Sequence, residues 1–226
     1  MKKINEKTEK KPETKISNGI TELVFIIDKS GSMSGFERDT VGGFNSMIEK
    51  QKAGEGEVLV STVLFDNESR VLHDRAPIGN VPAMTLREYC ACGCTALLDA
   101  VGGAIRHIGN IHKYARPEDV PENTIFVITT DGMENASREY SHNAVKKMIE
   151  ERKEKYGWDF IFLGANIDAV KTAGSIGIGR DRAANYDQSE EGYLECYSAM
   201  DEFVTMRRMA KCSKNVGADW KKKLKK

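Results

Sequence analysis

The feature that most constrains this chain is an unbroken apolar run, Leu-Val-Phe-Ile-Ile at residues 23–27, ending at Asp28 and a Ser/Gly turn. An apolar run with no polar alternation reads as a strand buried on both faces, the situation of a central strand in a parallel sheet. The pattern recurs. Residues 58–65 predict a second strand, residues 124–130 repeat the first pattern up to Asp131-Gly132, and residues 160–163 repeat it up to Gly164. A turn at Asp66-Asn67 leads into residues 69–73, which predict a short antiparallel strand at the sheet edge.

Helical spacings fall between these runs. Val41, Phe44, Met47 and Ile48 share one face, and Leu97, Leu98, Val101, Ala104, Ile105 and Ile108 share another. Val145, Met148 and Ile149 form a narrower stripe. Residues 189–210, with Leu194, Tyr197, Phe203, Val204 and Met206, predict a C-terminal helix. Strands alternating with helices imply crossover connections. The expected fold is α/β: a doubly wound, mostly parallel sheet with one antiparallel edge strand and helices on both faces. Ligands bind such sheets at the carboxyl ends of the strands, which directs attention to Asp28, Asp131 and Gly164.

The 226 residues suit one domain with extensions. We expect a disordered polar tail over 1–18, the α/β domain over 19–188, and a C-terminal helix with a Lys-rich tail over 189–226. Formal net charge is zero, so the domain as a whole has no electrostatic case for nucleic acid or membrane. The basic run 221–226 is expected to be a solvated tail. The N-terminus is Lys/Glu-rich and no apolar run approaches the roughly 18 residues of a membrane helix, so the expected location is the cytoplasm. Five cysteines, an odd count, then read as reduced thiols.

Asp28-Lys29-Ser30-Gly31-Ser32 directly follows the first strand. An Asp and two hydroxyls at alternate positions around a glycine point three oxygen groups into one pocket. Oxygen-only ligands suit a hard cation: Mg²⁺ first, with Mn²⁺ or Ca²⁺ as alternatives. The same pentapeptide would also serve as a plain strand-to-helix turn with Asp and Ser caps.

The pentapeptide resembles the Asp-x-Ser-x-Ser signature of the metal-ion-dependent adhesion site in von Willebrand factor A domains. That resemblance implies a distant Thr and a distant Asp. Thr95, in Gly93-Cys94-Thr95-Ala96-Leu97, stands at the mouth of a helix, and Asp131, after Thr129-Thr130, ends a buried strand. The metal residues implied are therefore Asp28, Ser30, Ser32, Thr95 and Asp131. In the family the hydroxyls touch the ion, and the aspartates act mainly through waters and hydrogen bonds. Neutral hydroxyls leave the ion's charge largely unquenched, so an Asp or Glu from another protein would complete its octahedron.

What the resemblance implies is a non-catalytic, metal-dependent protein-binding adaptor of the stand-alone intracellular bacterial type. Its partner would be a protein, such as a component of an ATPase or stress-response complex; some relatives accompany tellurium-resistance clusters. Lys29 is expected to face solvent, because its charge would repel the ion.

Rival chemistries fit less well. An aspartyl phosphotransferase needs a second Asp at position 30, which is Ser30. A dinucleotide site needs Gly-x-Gly-x-x-Gly after the first strand, and Gly31 and Gly35 do not supply it. Residues 174–179 carry glycines in another order and read as a loop. The alternative function is a metal-dependent phosphoester hydrolase using the same cation, with His73, His107 or Glu134 as general base. His107 and His112, five apart, do not share a helix face, and His142 is isolated. Cys90, Cys92 and Cys94 are spaced too tightly for ordinary zinc pairs. They read as reduced thiols or as redox-sensitive ones.

Overall fold

The computed structural model describes residues 19–209 and 217–224. One six-stranded sheet runs through it in the order β3-β2-β1-β4-β5-β6. Its strands are β1 Thr21–Asp28, β2 Val58–Phe65, β3 Ser69–Pro77, β4 Asn123–Thr130, β5 Asp159–Gly164 and β6 Ala183–Asn185. Every neighbouring pair is parallel except β2 with β3. The helices are α1 Glu37–Lys52, α2 Leu97–Tyr114, α3 His142–Tyr156, α4 Ala169–Ser175 and α5 Glu190–Met209. The doubly wound sheet with one antiparallel edge strand is thus what forms. The edge strand runs on past residue 73 to Pro77 through a register shift, with Arg75 at φ 47°.

Strand parity explains the unbroken apolar runs. Leu23, Phe25 and Ile27, with Val127, Ile161 and Leu163, belong to one core, shared with side chains of α1 and α5. Val24 and Ile26, with Phe126, Ile128, Phe160 and Phe162, belong to the other, shared with α2, α3 and α4. Successive side chains point to opposite faces, so in the middle of a strand covered on both sides each position meets a core. On α1, a Cβ at Gly43 would stand 2.1 Å from the Tyr197 ring, so only a glycine lets α5 lie that close.

Some structure lies beyond the sequence pattern. β6 is three residues long, too short for a period to be read, and α4 ends inside the segment expected to be a loop, whose Ile176 and Ile178 plug into the core. On α5 the buried stripe runs through Tyr193, Tyr197, Phe203 and Val204, while Leu194 is 62% exposed.

The basic run is solvated only in part: Lys222 and Lys223 are exposed, but Lys221 and Leu224 are held against the domain beside Trp220, and residues 225–226 lie outside the described residues. Trp220 is wholly buried, lies edge-to-face on Phe203, and donates from Nε1 to the Asp181 carbonyl at 3.1 Å. Lys221 Nζ donates to the carbonyls of Arg180 at 2.6 Å and Ala183 at 2.7 Å, and Leu224 is buried. Burying an indole removes about 200 Å² from water, worth roughly 5 kcal/mol, which offsets the cost of ordering these residues. Residues 1–18 lie outside the described residues. Among the described residues, no helix is long and apolar enough to cross a membrane.

Candidate metal centre

The strand order reverses between β1 and β4, and a doubly wound sheet opens a crevice at such a switch point. Three chain segments meet there. The first follows β1. Asp28 is fully buried; its Oδ1 accepts the Ser30 amide at 2.7 Å and its Oδ2 accepts the Thr130 hydroxyl at 2.5 Å. Tyr89 donates its hydroxyl to the Asp28 carbonyl at 2.5 Å. The Ser30 and Ser32 hydroxyls stand 3.1 Å apart, and Ser32 donates to Asp131 Oδ1 at 2.5 Å.

The second segment carries Thr95 and is tied to the first. Gly31 N donates to the Gly93 carbonyl at 3.0 Å, and Cys92 N donates to the Lys29 carbonyl at 2.8 Å. The third follows β4 and is stitched to the start of α2. Glu134 accepts the amides of Leu98, Ala136 and Ser137 and the Ser137 hydroxyl, all within 3.0 Å. Asp99, in the first turn of α2, accepts the amides of Arg138, Glu139 and Tyr140. Asn135 Oδ1 accepts the Thr95 amide at 2.9 Å. The carboxylates at the helix start also complement its dipole.

The convergence can be read from Gly132. A Cβ there would lie 2.9 Å from Thr95 Oγ1, 3.2 Å from Ser32 Oγ and 3.8 Å from Ser30 Oγ. Hydroxyls from two segments therefore surround one point beside the third, and the bare glycine leaves that point free. Asp28 and Asp131 join the same cluster through Ser30, Thr130 and Ser32. The five residues implied for the metal, Asp28, Ser30, Ser32, Thr95 and Asp131, thus lie in one cluster.

The electrostatics suit a cation. Burial pushes both the Asp28 and Asp131 carboxyls above the usual carboxylate range. Hydrogen bonds from Thr130 and Ser30 pull Asp28 back, as Ser32 does for Asp131, and Asp131 raises Asp28 by like-charge repulsion. A divalent ion would relieve that repulsion. Carboxylates and hydroxyls are hard donors, and with Ser32 exposed the cluster is open to solvent. The residues fit a hard divalent cation.

Lys29 departs from expectation. Its ammonium does not face solvent but pairs with the Asp66 carboxylate, both side chains being largely buried. The physical reason is Asp66: burial pushes its carboxyl up, but Lys29, the Glu68 amide and the Cys92 thiol together hold it below its usual value. The lysine charge is thereby neutralised and turned from the site. Cys90, Cys92 and Cys94 are exposed free thiols. Among the described residues no group of three or more His, Cys, Asp or Glu is placed to hold a metal.

The bases considered for hydrolysis are engaged elsewhere. Glu134 caps backbone amides, as above. His73 is buried opposite Thr62, its Nδ1 3.0 Å from Thr62 Oγ1, and Thr62 pairs with Phe25, about 10 Å along the strand from Asp28. His107 pairs with Asp74 at 2.9 Å. His112 meets the buried Glu22, and His142 begins α3.

Sequence reasoning missed Gln188. It donates from Nε2 to Asp131 Oδ2 at 2.7 Å and to the Ser32 carbonyl at 3.1 Å. A lone polar residue in a loop carries no sequence signal of this kind.

No protein-family model matches the chain, and no curated protein matches its sequence. Solved structures do. The PilB minor pilin of Streptococcus sanguinis, as its D319A mutant, is 13% identical over 87% of this chain and 64% of that one, with a TM-score of 0.57. A von Willebrand factor type A protein of Catenulispora acidiphila is 13% identical over 83% of this chain and 42% of that one, with a TM-score of 0.53. This chain has the von Willebrand factor A fold. Another such neighbour, proximal thread matrix protein 1 of the mussel byssus with a zinc-occupied adhesion-site motif, is 14% identical over 84% of this chain and 47% of that one, with a TM-score of 0.55. The chain spans less than two thirds of the length of each of these proteins.

Proposed function

We propose that this domain holds one divalent cation on Ser30, Ser32, Thr95, Asp28 and Asp131 and uses it to bind an acidic side chain of a partner protein. The observation that carries the reading is the meeting of the Thr95, Ser32 and Ser30 hydroxyls around Gly132, with two buried carboxylates hydrogen-bonded into the same cluster. The fold supports it, and the zinc-occupied motif of the mussel protein supports a divalent ion as occupant. The donor set favours Mg²⁺, which prefers six oxygen ligands near ideal octahedral geometry.

The hydroxyls supply ligands without charge. Asp28 and Asp131 orient those hydroxyls and any bound water through hydrogen bonds. An ion held this way keeps most of its charge, and a carboxylate is the ligand that satisfies it. Met133, next to the site and 74% exposed, would offer an apolar contact to the residues flanking that carboxylate. A cytoplasmic location is part of the same proposal.

The test is affinity capture with the full chain, wild type and Ser32→Ala, with Mg²⁺ and with EDTA. A partner retained by wild type in Mg²⁺, released by EDTA and missed by Ser32→Ala supports metal-mediated binding. Equal recovery in every arm contradicts it. Turnover of phosphoesters with Mg²⁺ that vanishes in Asp28→Ala would replace binding by hydrolysis.

A further inference from the structure

The geometry points to Gln188 as the positioning residue that keeps this site open for an external acid; the inference rests on the metal-binding reading above. Gln188 sits in the loop between β6 and α5. Its Nε2 spans two acceptors, Asp131 Oδ2 at 2.7 Å and the Ser32 carbonyl at 3.1 Å, while its Oε1 accepts from Asn166 Nδ2 at 2.5 Å. Two acceptors on one side and a donor on the other determine which way the amide faces. The side chain thus clips together the segments that follow β1, β4 and β5.

The loop that presents Gln188 is rigid for identifiable reasons. Tyr186 is buried and lies edge-to-face on Tyr193, and its amide donates to the Gly164 carbonyl at 3.0 Å. Ser189 N donates to the Asp187 carbonyl at 2.9 Å, and Ser189 Oγ accepts the Gly192 amide at 3.1 Å. A Cβ at Gly192 would lie 2.0 Å from the Asp187 carbonyl oxygen, so the turn closes only on a glycine. On the far side, Asn166 holds a left-handed backbone, φ 53°, one that asparagine tolerates better than most residues. The amide therefore reaches the site from a pre-set position.

Two consequences follow from its being an amide. First, it occupies one oxygen of Asp131 and leaves the other, held by Ser32, to act toward the ion. Second, it is neutral. A carboxylate at the same place would bring a further acid against Asp131 and supply the negative charge that a partner otherwise brings. Gln188 fixes Asp131 without quenching the charge that recruits the partner.

The experiment uses the full chain stripped of metal, titrated with Mn²⁺ followed by electron paramagnetic resonance, with water proton relaxivity read on the bound ion. Gln188→Ala should bind Mn²⁺ roughly tenfold more weakly, the low end of what losing a ligand-orienting hydrogen bond costs, with relaxivity per bound ion unchanged. Gln188→Glu should bind Mn²⁺ more tightly than wild type and show lower relaxivity, because its own carboxylate displaces bound water. A merely structural role would not move relaxivity. Wild-type binding of Mn²⁺ with both variants indistinguishable from it would overturn the role of Gln188 and leave the metal site standing. Absence of Mn²⁺ binding in wild type would overturn the metal reading and this inference together.

Discussion

Ser32 donates its hydroxyl to Asp131 at 2.5 Å across 99 positions of sequence, joining the loop after β1 to the loop after β4. The contact spans the point where the sheet's strand order reverses. It ties one serine of the Asp-x-Ser-x-Ser element to the aspartate that the family resemblance located. Removing it should act on folding and on metal separately. Ser32→Ala leaves a buried carboxylate oxygen without its donor. Hydrogen bonds to charged groups contribute about 1.5–3 kcal/mol. Urea denaturation in EDTA should show a loss of that order, and Mn²⁺ titration should show weakened binding.

Gly132→Ala should separate fold from site more cleanly. Its methyl would enter the space shared by the Thr95 and Ser32 hydroxyls, and the backbone there is not left-handed. The circular dichroism spectrum should match wild type while Mg²⁺-dependent thermal stabilisation disappears. Full retention of that stabilisation would show that the ion does not use this space.

Trp220 fills the core beside Phe203 from a segment that follows α5. Trp220→Ala should cost about 3–5 kcal/mol, as large-to-small core substitutions of aromatics do. The midpoint of chemical denaturation measures this. A change under about 0.5 kcal/mol, the usual size of a surface substitution, would mean that the segment does not pack there in solution.

His73 predicts a pH dependence. Burial pulls its imidazole below the ordinary value of 6.5, with Glu88 opposing weakly. The unfolded chain therefore takes up a proton at higher pH than the folded one. The stability His73 contributes is complete above 6.5 and declines as pH falls from there toward the lower folded value, by at most about 1.4 kcal/mol per pH unit. Denaturation midpoints between pH 7.5 and 5.5 should fall more steeply in wild type than in His73→Gln. Parallel slopes would contradict this.

Much of this was legible in the sequence, for physical reasons that can be traced to particular residues. Leu23 to Ile27 announced a doubly covered strand because both faces needed apolar side chains. Asp28, Ser30 and Ser32 were readable because they alternate within one pentapeptide, and Thr95 and Asp131 because the family pattern orders them along the chain. Lys29 was misread because its partner, Asp66, lies 37 positions away and only the fold brings it near. Gln188 and Asn166 meet the site solely through tertiary packing, so no period or local motif marks them. One aromatic beside a run of lysines carries no periodicity, so the place of Trp220 against Phe203 is decided only by the fold.

The central claim is most directly tested by calorimetric titration of Mg²⁺ into metal-stripped protein, wild type against Asp131→Ala, with folding of both verified by circular dichroism. The account predicts saturable binding to a single class of site in wild type and its loss in the folded variant. No saturable binding in wild type, or undiminished binding in Asp131→Ala, would contradict it.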